Sequence, residues 1–122
     1  MLTVLVVDDN ADMRRLIRSI VSDLAGYIVE CADGLQAIQA YAAHKPDWVL
    51  MDIEMPALDG ISATQEIKSV FPEAQIVIVT EYDDRNWREE ARQAGACAYV
   101  LKENLPEVRR ILQNPAHFTK PS

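Results

Sequence analysis

Short apolar runs alternate five times with segments of helical periodicity along this 122-residue chain. The first run, Leu2–Val7, is continuous and rich in β-branched residues, which is typical of a strand buried on both faces. The other predicted strands lie near Tyr27–Cys31, Trp48–Met51, Ile76–Val79 and Ala98–Leu101. Strands that alternate with helices predict βαβ units, and therefore a parallel sheet with helices on both faces and right-handed crossovers.

The first two interstrand segments place apolar residues at helical spacing. The first predicted helix follows Asn10, a capping residue, and is expected to end at Gly26. Its apolar stripe consists of Met13, Leu16, Ile17, Ile20, Val21 and Leu24. The second helix is predicted from about Gly34 to Ala43. Its inward residues are expected to be Leu35, Ile38 and Tyr41 or Ala42.

Three further helices complete the alternation. One is predicted to begin at Gly60 and the next to run from about Asp84 to Ala94. The inward residues of the latter are expected to be Trp87, Ala91 and Ala94. Its outer face is polar and consists of Arg88, Glu89, Arg92 and Gln93. This face either pairs with a partner or is simply solvated. The last helix is predicted near Asn104, a capping residue followed by Pro106 and Glu107.

The length of the chain corresponds to one domain. The alternating pattern fills residues 1–112, and the segment 113–122 loses periodicity and contains Pro115 and Pro121. We therefore expect one domain over 1–112, followed by a linker or C-terminal tail over 113–122.

Charge and apolar content exclude several classes of protein. The net charge is −7 and the sequence pI is about 4.7, so this domain is not expected to contact nucleic acid directly. The apolar runs have the length of strands and are too short to span a membrane, so no membrane association is expected. We expect a cytoplasmic location. Cys31 and Cys97 are expected to be buried thiols that act as small apolar side chains and form no disulfide.

Polar side chains stand at the ends of four predicted strands. Asp8 and Asp9 follow the first strand, and Asp52 follows the third. Thr80 follows the fourth and Lys102 the fifth. Because ligands of open parallel sheets bind beyond the carboxyl ends of the strands, these five side chains are predicted to form one site.

Three carboxylates at one sheet edge repel one another unless a cation lies between them. Mg²⁺ prefers such oxygen ligands, and Asp52 could then act as a nucleophile towards phosphorus. Lys102 and Thr80 could hold the transferred group. Each residue also has a simpler interpretation. Asp8, Asp9 and Asn10 could compete to cap the first helix, Lys102 could be a solvated lysine, and Thr80 could be a β-branched strand end. The simpler interpretations do not explain why all four strand ends are polar.

The ordered set of motifs resembles the response-regulator receiver domains of two-component signalling over about Leu2 to Leu112. The segments that carry the resemblance are Val6–Asp9, Met51–Gly60, Ile78–Thr80, Ala94–Ala96 and Tyr99–Lys102. The resemblance implies a flavodoxin-like (βα)5 fold, an α/β doubly wound parallel five-stranded sheet of order 2-1-3-4-5.

The resemblance also implies a role for each site residue. Asp52 would accept a phosphoryl group from a histidine kinase or a phosphotransfer protein. Mg²⁺ would be held by Asp8, Asp9, Asp52 and the backbone carbonyl of Glu54. Lys102 and Thr80 would bind the phosphoryl oxygens. Thr80 and Tyr99 would form a switch that remodels the face of the fourth helix, fifth strand and fifth helix.

Further implications concern partners and activity. A homodimer is possible through that face or through the first and fifth helices. The chain is not expected to be an enzyme, since it would catalyse only its own phosphorylation and dephosphorylation. The segment Thr80–Asp84 and the absence of a proline after Lys102 resemble the subfamily that precedes a helix-turn-helix (LuxR-type) output domain.

Two acids depart from the family pattern. Glu81 stands where many receivers have a small residue and would narrow access to the site. Glu54 adds a fourth acid, which would favour metal binding or alter hydrolysis of the phosphate.

Four alternatives remain open. The chain could be a stand-alone response regulator that acts through a protein partner, or a receiver-like scaffold that is not phosphorylated. A phosphohydrolase is disfavoured because Glu54 replaces the expected second Asp and no cap region is present. A flavin-binding module would need a Gly/Ser/Thr-rich loop after the first strand, where Asp8 and Asp9 would repel phosphate.

Overall fold

A computed structural model describes residues 1–114 and contains one five-stranded sheet. Its strands are β1 (Leu2–Val7), β2 (Ala25–Cys31), β3 (Trp48–Met51), β4 (Ile76–Thr80) and β5 (Ala98–Leu101). All neighbouring pairs are parallel, and the order is β2-β1-β3-β4-β5. The predicted sheet and its order are therefore confirmed.

Helices cover both faces of the sheet. They are α1 (Ala11–Val21), α2 (Gly34–His44), α3 (Gly60–Val70), α4 (Arg85–Ala94) and α5 (Pro106–Gln113). One core contains strand residues such as Val4 and Val6 with buried residues of α1 and α5. The other contains Leu5 and Val7 with buried residues of α2, α3 and α4. Successive residues of a central strand thus enter opposite cores, which explains the continuous apolar runs in the sequence.

The predicted end of the first helix was wrong. Helix α1 ends at Val21, and a turn closed by the Leu24 amide donating to the Val21 carbonyl at 2.9 Å leads into β2. Gly26 lies inside that strand, where an added Cβ would lie 2.8 Å from Met1 Cβ. This glycine therefore lies in a strand beside the exposed N-terminal residue, and it does not cap the helix.

Two further details of the predicted helices were wrong. Leu35, predicted to face inward, is 51% exposed, whereas Tyr41 is buried and Ile38 packs against the core. Asn104 does not cap α5, because it closes a short 3-10 helix over Lys102–Asn104. The capping position of α5 belongs to Leu105, whose side chain is buried in the core, and Pro106 occupies the first turn as predicted.

Helix α5 extends through Gln113, the residue at which the tail was predicted to begin. The rest of the predicted linker, residues 115–122, lies outside the described residues. None of the helices within residues 1–114 combines the length and the hydrophobicity of a membrane-spanning segment. Cys31 is buried, Cys97 is partly exposed, and both thiols are free.

Candidate functional site

The five site residues predicted from the sequence lie together at the carboxyl edge of the sheet. Backbone pairing continues past the strand ends: the Asp8 amide donates to the Cys31 carbonyl at 3.1 Å, and the Asp52 amide to the Val7 carbonyl at 2.9 Å. This pairing draws both residues into the sheet. Asp8, Asp52 and Thr80 are buried, with exposures of 1%, 6% and 0%.

Lys102 joins the two buried carboxylates. Its Nζ lies 2.9 Å from Asp8 Oδ2 and 3.4 Å from Asp52 Oδ2. Within residues 1–114, Asp8 Oδ2 is buried and has no polar partner besides the Lys102 ammonium. Such an oxygen retains its capacity to bind a second positive group.

The environment of Asp52 keeps its carboxyl group hard to ionise. Burial and the neighbouring Asp8 carboxylate raise the pKa of Asp52 from 3.8 to about 6, although Lys102 and the Ile53 amide oppose the shift. The amide donates to Asp52 Oδ1 at 2.9 Å. Burial lowers the pKa of Lys102, but Asp8 and Asp52 outweigh it and raise the pKa above its ordinary value. The site is therefore short of positive charge.

The acidic group fits a hard divalent cation. Asp8, Asp9 and Asp52 each offer one carboxylate oxygen, and these oxygens all lie within 4.8 Å of one another. Asp9 also lines an open depression of about 390 Å³ together with Glu54, Met55 and Asp59. The oxygen ligands, the surplus negative charge and the open side match what Mg²⁺ requires, since it usually keeps several waters. The role of the Glu54 backbone carbonyl stays a prediction.

Gly60 holds the start of α3 against the backbone of Asp52. The Gly60 amide donates to the Ile53 carbonyl at 2.8 Å. A Cβ at this position would lie 1.7 Å from the Asp52 carbonyl oxygen. Only glycine permits this approach, and the loop between β3 and α3 is thereby folded tightly over the site.

Ala57 in the same loop has a positive φ of 68°, a conformation that costs a residue with a Cβ about 1 kcal/mol. We expect Ala57→Gly to stabilise the protein by about 0.5 kcal/mol, since the greater freedom of unfolded glycine offsets part of the relief. Urea denaturation measures this change. Ala42→Gly on the exposed side of α2 is the matched control and should lose about 0.5–1 kcal/mol. A destabilised Ala57→Gly would contradict the expectation.

The predicted switch residues are linked through Tyr82. The Tyr82 amide donates to Thr80 Oγ1 at 3.2 Å, and the Tyr99 hydroxyl donates to the Tyr82 carbonyl at 2.5 Å. The phenol of Tyr82 contacts the Glu54 carboxylate, which raises the pKa of Tyr82 to about 12. Tyr82 was not singled out from the sequence; the available signal was a single aromatic residue within the acidic segment Glu81–Asp84.

Comparison with known proteins decides the family. The family model for the response regulator receiver domain matches residues 4–113. The chain belongs to this family.

Curated relatives of this receiver domain differ in length. The chain is 39% identical over 100 residues to the chemotaxis protein CheY of Bacillus subtilis, covering 81% of this chain and 83% of CheY. It is 38% identical over 106 residues to the uncharacterised transcriptional regulatory protein YhcZ of the same organism. That match covers 85% of this chain but only 50% of YhcZ.

A solved structure agrees with both the fold and the family of this receiver domain. The two-component response regulator of the LuxR family from Aurantimonas sp. SI85-9A1 superposes with a TM-score of 0.83 at 31% identity. The superposition covers 93% of this chain and 86% of that one. The resemblance to the LuxR-type subfamily is thereby supported.

Proposed function

We propose that this receiver domain accepts a phosphoryl group on Asp52 in a Mg²⁺-dependent reaction. The observation that carries the proposal is the placement of Lys102 between two buried carboxylates, 2.9 Å from Asp8 and 3.4 Å from Asp52. Asp52 is a buried acid with a raised pKa, and it lies beside one cation and a site that suits a hard divalent cation. This arrangement suits the binding of a dianionic phosphoryl group.

The chain's own residues perform most of the proposed reaction. An ionised Asp52 oxygen attacks phosphorus, the bond from phosphorus to the donor's histidine nitrogen breaks, and the imidazole leaves with the electron pair. Lys102 shifts from a purely carboxylate environment towards the phosphoryl oxygens, and Thr80 donates its hydroxyl hydrogen to one of them. Mg²⁺ held by Asp8, Asp9 and Asp52 would supply positive charge to the transferring group.

The proposed donor is a histidine kinase or a phosphotransfer protein. Hydrolysis of the acyl phosphate by water returns Asp52 and inorganic phosphate, so the chain would catalyse only its own phosphorylation and dephosphorylation. No direct contact of this domain with nucleic acid is proposed, because its net charge is −7.

The proposed output is control of a DNA-binding domain through the surface formed by α4, β5 and α5, which would also serve as a homodimer contact. The half-length match to YhcZ and the LuxR-family structure support this output. The nearly full-length match to CheY supports the alternative, a response regulator that acts alone through a protein partner. The reading frame beyond Ser122 distinguishes the two.

Intact-mass measurement after incubation with acetyl phosphate and Mg²⁺ tests the proposal. The assay is run at pH 7.5, above the pKa of Asp52 of about 6. We expect one phosphate-sized increment, which disappears on chelation of Mg²⁺ and in Asp52→Ala. Asp12→Ala is the matched control, because that carboxylate is 88% exposed and pairs only with Arg15 within the described residues. An Asp52→Ala protein that still gained the mass would refute the assignment.

A further inference from the structure

Arg88 on α4 covers the ring of Tyr99. The guanidinium carbon lies 4.5 Å from the ring centroid, within the range of a cation–π contact. The same guanidinium also contacts the loop that follows β4, because its Nε and an Nη atom donate to Asp83 Oδ1 at 3.2 and 3.1 Å. Arg88 is therefore fixed between the loop that follows β4 and an aromatic residue of β5.

The ring that Arg88 covers is already tied to the same loop. The Tyr99 hydroxyl donates to the Tyr82 carbonyl, and the Tyr82 amide donates to Thr80 Oγ1. Asp83, which anchors Arg88, is the next residue along the chain. The loop thus holds Tyr99 at two points, by its hydroxyl directly and by its ring through Arg88.

This arrangement leaves Thr80 ready to bind an oxygen. A hydroxyl has one hydrogen to donate and two lone pairs to accept with. Because Thr80 Oγ1 accepts from the Tyr82 amide, its own hydrogen stays available for a phosphoryl oxygen on Asp52. Holding Tyr99 and Tyr82 in place therefore favours the form of the site that binds a phosphoryl group.

We infer that Arg88 is a positioning residue that fixes Tyr99 in this hydrogen-bonded position and thereby favours phosphoryl binding at Asp52. The second half of this inference rests on the proposed function, whereas the first half concerns the resting protein. Arg88 is 43% exposed, so its removal should leave the fold intact.

Arg92 provides a matched control on the same helix. It lies four residues further along α4 and, like Arg88, lines a cavity of about 160 Å³ beside Tyr99. Its guanidinium pairs with Glu89 of its own helix at 2.6 Å, and Tyr99 is in cation–π contact with Arg88 instead. Arg92→Ala therefore removes the same charge from the same face without removing the ring contact.

The first experiment observes Tyr99 in the resting protein. The chain has four tyrosines, so fluorotyrosine labelling gives four ¹⁹F resonances, and Tyr99→Phe assigns one of them. We expect Arg88→Ala and Asp83→Asn to move the Tyr99 resonance and to increase its H₂O/D₂O solvent shift. Arg92→Ala should change neither. An unchanged resonance in Arg88→Ala, or an equal change in Arg92→Ala, would overturn the inference.

The second experiment measures binding of beryllofluoride, a phosphoryl analogue, in the presence of Mg²⁺. We expect Arg88→Ala to raise the half-saturating beryllofluoride concentration about two- to fivefold, the value of one exposed cation–π contact. Arg88→Lys should recover part of the loss, because it keeps the charge without the planar group. An unchanged or lowered midpoint in Arg88→Ala would contradict the link to Asp52.

The two experiments separate the inference from the proposed function. If wild-type protein showed no saturable beryllofluoride response, the proposed phosphoryl site would fail, while the ¹⁹F comparison would still decide whether Arg88 positions Tyr99. If wild type responded but the Arg88 variants matched it in both experiments, only the inference about Arg88 would fail.

Discussion

Replacing Lys102 with methionine should cost about 3 kcal/mol of folding free energy at pH 8 and much less at pH 5. Methionine keeps the length of the lysine stem but removes the ammonium group that lies between Asp8 and Asp52. Only 14% of the Lys102 side chain is exposed, so water cannot replace the lost charge. Two buried carboxylates would then face each other without their neighbouring cation.

The pH dependence follows from Asp52. Loss of Lys102 removes an effect that lowers the pKa of Asp52, which is already raised to about 6. The pKa in the variant should therefore rise further, and Asp52 should be neutral at pH 5. Protonation relieves the repulsion between the two acids, so the cost of the substitution shrinks as the pH falls.

Urea denaturation at pH 5 and pH 8 measures the effect. Arg15→Met removes one positive charge from a side chain that is 78% exposed, and this control should change stability by less than about 0.5 kcal/mol. Adding Asp8→Asn to Lys102→Met should restore part of the stability at pH 8. Equal losses at the two pH values, or no loss at pH 8, would contradict the charge arrangement.

Most of the site was predictable because it depends on strand ends. A parallel sheet brings the residue after each central strand to one edge, so the positions of Asp8, Asp52, Thr80 and Lys102 follow from the strand pattern. Their chemistry follows from their side chains. The fold was predictable for the same reason, since continuous apolar runs alternating with helical periodicity admit few other architectures.

The ends of helices and strands were harder to predict, because the residue types that mark them also occur in other settings. Gly26 was interpreted as a helix end, yet it is the second residue of β2. Leu35 has the spacing of an inward residue but falls at the start of α2, where it is half exposed. Asn104 was predicted to cap α5, but the side chain of Leu105 is buried in the core and α5 begins only after Leu105.

The contacts that link the site to its surroundings were not predictable. Tyr82 acts mainly through its backbone amide and carbonyl, which every residue except proline possesses. Arg88 was expected on a polar outer face, but the sequence contains no sign that its guanidinium covers Tyr99. Contacts between residues of different elements depend on the packing of those elements, and hydrophobic periodicity specifies only which face is buried.

Replacing Asp52 with asparagine should stabilise the protein by about 2–3 kcal/mol at pH 7.5 in the absence of Mg²⁺. In the folded wild type the pKa of Asp52 is about 6, whereas its ordinary value is 3.8. The folded state therefore binds the proton more tightly than the unfolded state. The contribution of Asp52 to wild-type stability should therefore be least favourable above pH 6 and should improve as the pH falls from about 7 towards 4.

Asparagine removes this penalty, because it places a neutral group of the same shape in the buried site. Lys102 keeps its closer partner, Asp8, at 2.9 Å. The stability of Asp52→Asn should therefore lack the wild-type slope between pH 7 and pH 5. Thermal or urea denaturation of both proteins across this range gives the difference directly. Asp12→Asn, at an exposed carboxylate, should keep the wild-type slope.

Mg²⁺ should narrow this difference in stability, and this links the stability of the protein to its proposed chemistry. The cation binds the ionised form of Asp52, so it should stabilise wild type at pH 7.5 more than Asp52→Asn. If Asp52→Asn were no more stable than wild type in the absence of Mg²⁺, the ionised Asp52 carboxylate would not destabilise the folded protein. If the expected order holds, the free energy that burial costs at Asp52 is released when positive charge or a phosphoryl group arrives. This would be a physical reason for keeping an acid there.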